Sequence, residues 1–273
     1  MEVVTLGTGS PIPDANRAGA ATLVRAGNAT LLIDCGRAVV MRLVAAGVFP
    51  PMLTQLLITH LHSDHINNFN DVLTTRWIMS PVDNPLPVIG PPGTAAFVDQ
   101  TIAMLKDDIH YRLEHHNDLN WNPSCTTQEI TSGVAWEAEG VRVTAAPTDH
   151  RPVSPSIGFR IEADGAVVAI AGDTIPCAGL DEICAGADIY VQTVLRPELI
   201  KAVPSPRLQD VLDYHSTCAQ AGATAARAGV KTLVLTHLVP APAPGTESEW
   251  IAEAASEFAG EIIVAEDLQS IST

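Results

Sequence analysis

The sequence predicts an α/β domain whose strand ends carry a metal site. Three observations lead there. Hydrophobic residues make up 47% of the 273 positions and charged residues only 17%, which is ample for a core and too little charge for a disordered chain. Short apolar runs recur between glycine, proline and asparagine turns, and helical periodicity fills several of the intervals. Finally, Thr59-His60-Leu61-His62-Ser63-Asp64-His65 puts three imidazoles and a carboxylate on one turn, directly after the apolar run Gln55-Leu-Leu-Ile-Thr59.

Taken in order, strands are expected at residues 2–6, 21–25 and 30–33, separated by Gly/Asn turns. Gly7-Thr-Gly-Ser-Pro11 lacks the full phosphate-loop pattern and the GxGxxG spacing, so it reads as tight backbone packing. Residues 37–47 have helical periodicity and a glycine stop. The cluster strand follows, then a helix over 66–79, a strand at 86–89 and a helix over 94–106. Between 107 and 136 the pattern weakens while His110, Tyr111, His115, His116 and Trp121 accumulate. That stretch reads as a surface excursion, a lid or partner-binding flap, and its histidines as exposed loop because they lack fixed spacing to other ligands. The strand pattern restarts at 141–145, 157–162, 167–171, 189–191 and 232–236, with an Ala-rich helix over 216–229, a last helix over 247–258 and a last strand at 262–264. No linker divides the chain, so residues 1–273 are expected to form one domain with two similar halves.

Imidazole and carboxylate are ligands that zinc, iron and manganese accept. His60 and His62 are two apart, so in extended chain they point the same way and can grip one ion. Asp64 and His65 lie past the turn and can face a second. A lone histidine is usually a surface or satisfied core residue; this grouping is not. One turn cannot saturate two metals, and His150, Asp173 and His237 each follow a predicted strand where further ligands are expected. His215 opens His-Ser-Thr before the Ala-rich helix, where Ser216 is the expected cap.

The five cysteines are odd in number and show no Cys-x-x-Cys spacing, which argues for reduced thiols in a reducing compartment. The start Met1-Glu2-Val3 has no basic and apolar leader, and no apolar run approaches the ~18 residues of a membrane span, so a soluble cytoplasmic protein with no membrane association is expected. A formal charge of -16 repels nucleic acid on average, although a basic patch or bound divalent metal reverses that locally.

Thr-His-Leu-His-Ser-Asp-His with the later His150, Asp173 and His237 resembles the signature of the metallo-β-lactamase fold superfamily. Leu6-Gly-Thr-Gly-Ser-Pro11, Asp34-Cys-Gly36, Gly172-Asp-Thr174, His215-Ser-Thr217 and Leu235-Thr-His-Leu238 are similar to its ribonuclease Z and arylsulfatase branch. The resemblance implies a four-layer αβ/βα sandwich with two divalent metal ions, expected to be zinc, manganese or iron also suiting mixed N/O ligation. It implies that His60, His62 and His150 hold one ion, that Asp64, His65 and His237 hold the other, and that Asp173 bridges them. Asp64 would also orient the nucleophile or accept its proton, and His215 would protonate or stabilise the leaving group. A homodimer is common in that branch.

The chain departs from the branch where a His-Glu pair is usual before this His, since Gln192 and Thr193 stand there. The long glycine- and basic-rich arm that grips tRNA is also not evident, and Arg196, Lys201 and Arg207 form only a modest basic stretch. The leading expectation is a dinuclear hydrolase of phosphodiester or related ester bonds, acting on RNA as a 3′ tRNA-processing endonuclease. The alternative is a small-molecule hydrolase on the same site: an aryl phosphodiesterase, arylsulfatase or lactonase. A non-catalytic metal-binding protein is the third class.

Overall fold

The computed structural model describes residues 1–273. Its first half holds β1 (Glu2–Gly7), β2 (Ala21–Ala26), β3 (Ala29–Ile33), β4 (Gln55–Leu57), β5 (Leu86–Gly90) and β6 (Cys125–Glu129). Then come β7 (Gly133–Ala138), β8 (Val141–Pro147), β9 (Ile157–Ala163), β10 (Ala166–Ile170), β11 (Ile189–Leu195), β12 (Ser216–Thr217), β13 (Thr232–Val239), β14 (Glu261–Val264) and β15 (Gln269–Ser272). One sheet runs β15-β1-β2-β3-β4-β5-β6; the other runs β14-β13-β11-β10-β9-β8-β7, with β12 paired to β11. The two are built alike. In each, three antiparallel strands lead into parallel ones: β1, β2 and β3 into β4, β5 and β6, and β8, β9 and β10 into β11, β13 and β14.

Strand alternation explains the layers. Leu31 and Ile33 face a central core together with Val168, Ile170, Val191 and Val234 from the other sheet. Leu32 between them faces outward onto the helices Val39–Ala45, Phe69–Met79 and Thr94–Met104. On the second sheet, Ala169, Tyr190, Leu233 and Leu235 do the same against Ala178–Cys184, Cys218–Ala228 and Glu247–Ala255. A side chain on either face is thus buried, so the strands read as continuous apolar runs. The result is helix, sheet, sheet, helix. At about 1.5–3 kcal/mol for each fully buried Leu, Ile or Phe, the central core joins the two halves.

The expected helix over 66–79 is two pieces, Ser63–Ile66 and Phe69–Met79. Asn68 breaks it: its amide oxygen accepts from Ala38 N and its own N donates to Cys35 O. The helix expected over 94–106 ends at Met104, and a second, Lys106–His115, restarts with Asp107 and Asp108 in its first turn, where a helix N-terminus favours acids. The stretch 107–136 is therefore not an irregular excursion. It carries that helix, then β6 at the edge of one sheet and β7 at the edge of the other, so it takes the chain between sheets. Thr217, not Ser216, caps Cys218–Ala228, in a reciprocal box with Gln220, while Ser216 Oγ donates to Thr174 O.

Candidate metal centre

The site forms where the C-terminal ends of the parallel strands of both sheets meet. Beyond β4, Thr59 donates its N and Oγ1 to the two Asp34 oxygens, each at 2.8 Å. Asp34 sits past β3 at φ 59°, a left-handed conformation that turns its carboxylate back under the cluster. From the other sheet, Gly172 at φ 65° precedes Asp173; a Cβ there would lie 2.8 Å from Thr59 Cβ, so only glycine lets the two strand ends approach. His237 itself adopts φ 47°, a strained conformation for a non-glycine residue within β13. Gly7, likewise, would place a Cβ 1.9 Å from Gly19 O, which agrees with packing rather than a phosphate cradle.

All seven expected ligands and both expected catalytic groups converge. Asp173 Oδ2 lies 3.9 Å from His60 Nε2, 3.4 Å from His65 Nε2, 3.8 Å from His150 Nε2, 3.7 Å from His237 Nε2 and 3.1 Å from His215 Nε2. His150 Nε2 is 3.2 Å from His62 Nδ1, and His237 Nε2 is 3.0 Å from Asp64 Oδ2. The donors fall into His60, His62, His150 and Asp173 on one side and Asp64, His65 and His237 on the other.

The donor chemistry fits divalent cations. His60 Nε2, His65 Nε2 and Asp173 Oδ1 are buried without any hydrogen-bond partner, at a cost of about 1–3 kcal/mol each unless something occupies the space between them. On three of the histidines the other ring nitrogen is fixed, while His237 Nδ1 is buried without a partner. His65 Nδ1–H donates to Asp34 Oδ2 at 2.7 Å, and His60 Nδ1–H to Thr59 Oγ1 at 3.0 Å, which in turn donates to Asp34. His150 Nδ1–H donates to the Tyr214 carbonyl at 2.9 Å. Each such bond selects the tautomer that aims an Nε2 lone pair inward, the usual support of a metal-bound imidazole.

Burial pushes His60 and His62 below the usual imidazole range and His150 down to about 4, so these rings are neutral and free to ligate. Burial opposes charge on His65 and His237 as well, but Asp173, with Asp34 on the first and Asp64 on the second, outweighs it and raises both. Burial likewise opposes ionisation of Asp64 and Asp173, and the facing histidines overcome it. Negative carboxylates and protonated imidazoles thus pair where a cation would otherwise sit.

His215 is buried, with Nε2 at Asp173 and Nδ1–H donating to the Val211 carbonyl at 3.2 Å. Thr193 does not face it: its Oγ1 donates to Gly172 O at 2.9 Å, and Gln192 is engaged with the Tyr190 hydroxyl and Thr193 O. Where the resembling branch has a Glu, this chain orients the His through a neutral main-chain carbonyl. That carbonyl lies on a flap of short turns, Pro206–Gln209 and Asp210–Asp213, whose Leu208, Val211 and Leu212 pack on Leu195, Ile200 and Val239.

Asp34 is the functional residue that reading the sequence missed as such. It was visible only as part of Asp34-Cys-Gly36, since a strand-end Asp usually serves a turn. The exposed histidines of 107–136 join no ligand group; His110 faces only Glu114, at 3.5 Å. Arg196 is tied to Glu249 and Glu253 and lies over the Trp250 ring. Lys201 and Arg207 are exposed with no carboxylate within 4.0 Å, although Glu198, Asp210 and Asp213 share their segment.

A family profile described as the Beta-lactamase superfamily domain matches residues 29–238. The chain is 55% identical, over 99% of its length and 98% of the relative's, to a protein named Ribonuclease Z from Mycolicibacterium paratuberculosis. It is 51% identical to a Ribonuclease Z of Mycobacterium tuberculosis, over 99% of this chain and 97% of that one. Among solved structures, the short form of human tRNase Z superposes with a TM-score of 0.73 at 24% identity, covering 100% of this chain and 99% of that one. A metallo-beta-lactamase fold protein from Bacillus subtilis gives 0.77 at 21% identity and 99% of each chain; both share the fold. The chain belongs to the ribonuclease Z family of the metallo-β-lactamase superfamily and is a metal-dependent hydrolase.

Proposed function

We propose that the protein is an endonuclease that cleaves a phosphodiester bond at the 3′ end of precursor tRNA. The observation that carries this reading is the convergence of five histidines on Asp173 in a chain that matches Ribonuclease Z relatives end to end. Two zinc ions are proposed, one held by His60, His62 and His150, the other by Asp64, His65 and His237, with Asp173 shared. Bound there, they supply Lewis acidity and bring the pKa of water towards ~7. Asp64, hydrogen-bonded to His237, accepts the proton of the attacking water. His215 delivers a proton from Nε2 to the leaving oxygen while the Val211 carbonyl holds Nδ1–H. Lys201 and Arg207, on the segment leading to His215, are exposed and unpaired cations that can meet RNA phosphates.

The proposed assembly is a homodimer. Met41 and Val44 on Val39–Ala45, Met52 on the turn Pro50–Met52, and Ile78 and Met79 at the end of Phe69–Met79 are all exposed, and these elements pack on one another. Exposed apolar side chains on neighbouring elements suit a self-complementary interface. No helix is long and apolar enough to cross a membrane, and a cytoplasmic site of action follows from the tRNA substrate proposed. Incubation with a 3′-extended precursor tRNA, beside aryl phosphodiester, aryl sulfate and lactone panels, tests the reading. Cleavage of the precursor alone or foremost is expected; turnover confined to a small ester would overturn it.

A further inference from the structure

Residues 210–214 of the flap hold two histidines of the centre and are themselves held by little. Tyr214 O accepts from His150 Nδ1 at 2.9 Å, and Val211 O accepts from His215 Nδ1 at 3.2 Å. The Tyr214 ring lies against both imidazoles, 5.1 Å from that of His150 and 4.7 Å from that of His215. The His150 bond is the only hydrogen bond that joins residues 210–214 to an element outside the flap. No residue of its two turns is buried. The remaining hold is apolar: Leu208, Val211 and Leu212 pack on Leu195, Ile200 and Val239. That is a cluster of 3 buried residues, where the other hydrophobic clusters have 19 to 23. A segment with so few buried contacts opens more readily than the sheets beneath it.

We infer that Leu212 is a positioning residue for both histidines: its apolar anchor sets the two carbonyls together, and so couples retention of the ion assigned to His60, His62 and His150 to proton delivery by His215. The inference rests on the two-ion and proton-donor reading above and names what those groups depend on. Leu212 follows Val211 and stands two residues before Tyr214, so displacing its side chain moves both carbonyls. An imidazole whose Nδ1–H loses its acceptor is free to turn, and its Nε2 then leaves the centre. His60 and His65 do not share this dependence, because Thr59 and Asp34 fix them at the ends of the first sheet's strands. The ion assigned to Asp64, His65 and His237 is therefore independent of the flap, and the other is not.

Two measurements test it. Zinc binding to the metal-free protein is followed by competition with a chromogenic chelator, without turnover. Leu212→Ala should weaken one of the two binding steps about tenfold, as loss of a metal-bound histidine's support does, and leave the other within about twofold. Val98→Ala, which opens a gap in the outer core of the first half, should change neither step. With zinc saturating, kcat is then compared on precursor tRNA and on a nitrophenyl phosphodiester. As the P–O bond breaks, the proton of His215 Nε2 goes to the departing ribose oxygen, whereas a nitrophenolate departs without one. Leu212→Ala should therefore lower kcat about tenfold on the RNA and less than about threefold on the aryl ester. Leu212→Met, which keeps the volume of the anchor, should restore both readouts. Two unchanged zinc steps in Leu212→Ala, or equal losses on the two substrates, would overturn the inference. A wild-type protein that takes up both ions but cleaves no precursor fails the nuclease reading instead, and the zinc steps then decide the coupling alone.

Discussion

The two walls of the site are held in different ways. On the first, His60 and His65 rest on one buried carboxylate, Asp34, which accepts from Thr59 N, Thr59 Oγ1 and His65 Nδ1. On the second, His150 and His215 rest on main-chain carbonyls, those of Tyr214 and Val211, at the end of a flap of short turns. A charged partner fixes an imidazole and raises its basicity; a carbonyl fixes it without charge. The first wall is therefore built to hold cations rigidly. The second carries His150, proposed as a metal ligand, and His215, proposed as the proton donor, with the apolar side chains of Leu208 and Val211 beside them.

The largest effect should come from the group both walls share. Asp173→Ala removes the carboxylate facing five histidines and should lower hydrolysis by about 10⁴-fold with loss of bound metal, since several kcal/mol of charge stabilisation go with the ions. His215→Ala separates proton delivery from metal binding: a fall of about 10²–10⁴-fold in kcat is expected with metal content unchanged, the range for a lost general acid. If His215→Ala strips the metal, His215 belongs to the ligand set and its separate role as proton donor fails. Asp34→Asn keeps the shape but removes the charge, and should cost about 10–100-fold in metal affinity, measured by competition with a chromogenic chelator. Wild-type metal affinity in Asp34→Asn would erase the distinction.

Acid should produce the smallest difference. In the metal-free protein, Asp173 and Asp34 raise His65, so its contribution is fully present below ~6.5 and is lost only as pH rises through its folded value. His150 behaves oppositely. Burial pushes it down to about 4, so the unfolded chain takes up the proton first and stability falls as pH drops from ~6.5 towards 4, by at most about 3 kcal/mol. Asp64 and Asp173, both lowered, keep their contribution through that window and lose it at lower pH. The urea midpoint of the chelated protein should therefore decline between pH 6.5 and 4.5. A midpoint that rises would contradict the assignment of His150 as buried and neutral.

Much of this was legible because the chemistry is local. His60, His62, Asp64 and His65 lie within six positions, and His150, Asp173 and His237 each follow an apolar run. Asp34 was not legible as a support, because its role appears only when β3 and β4 pair and bring Thr59 over it. The carbonyls of Val211 and Tyr214 carry no side-chain signal at all. β6 and β15 were missed because they are polar edge strands; in Gln269–Ser272 only Ile271 is buried. The difference between Arg196, held by Glu249, and the unpaired Lys201 and Arg207 depends on a helix far along the chain.

Metal content per chain tests the central claim most directly. After reconstitution with zinc and removal of excess, elemental analysis should find two ions per chain in the wild-type protein. Fewer than one ion per chain would contradict the two-ion centre on which both walls depend.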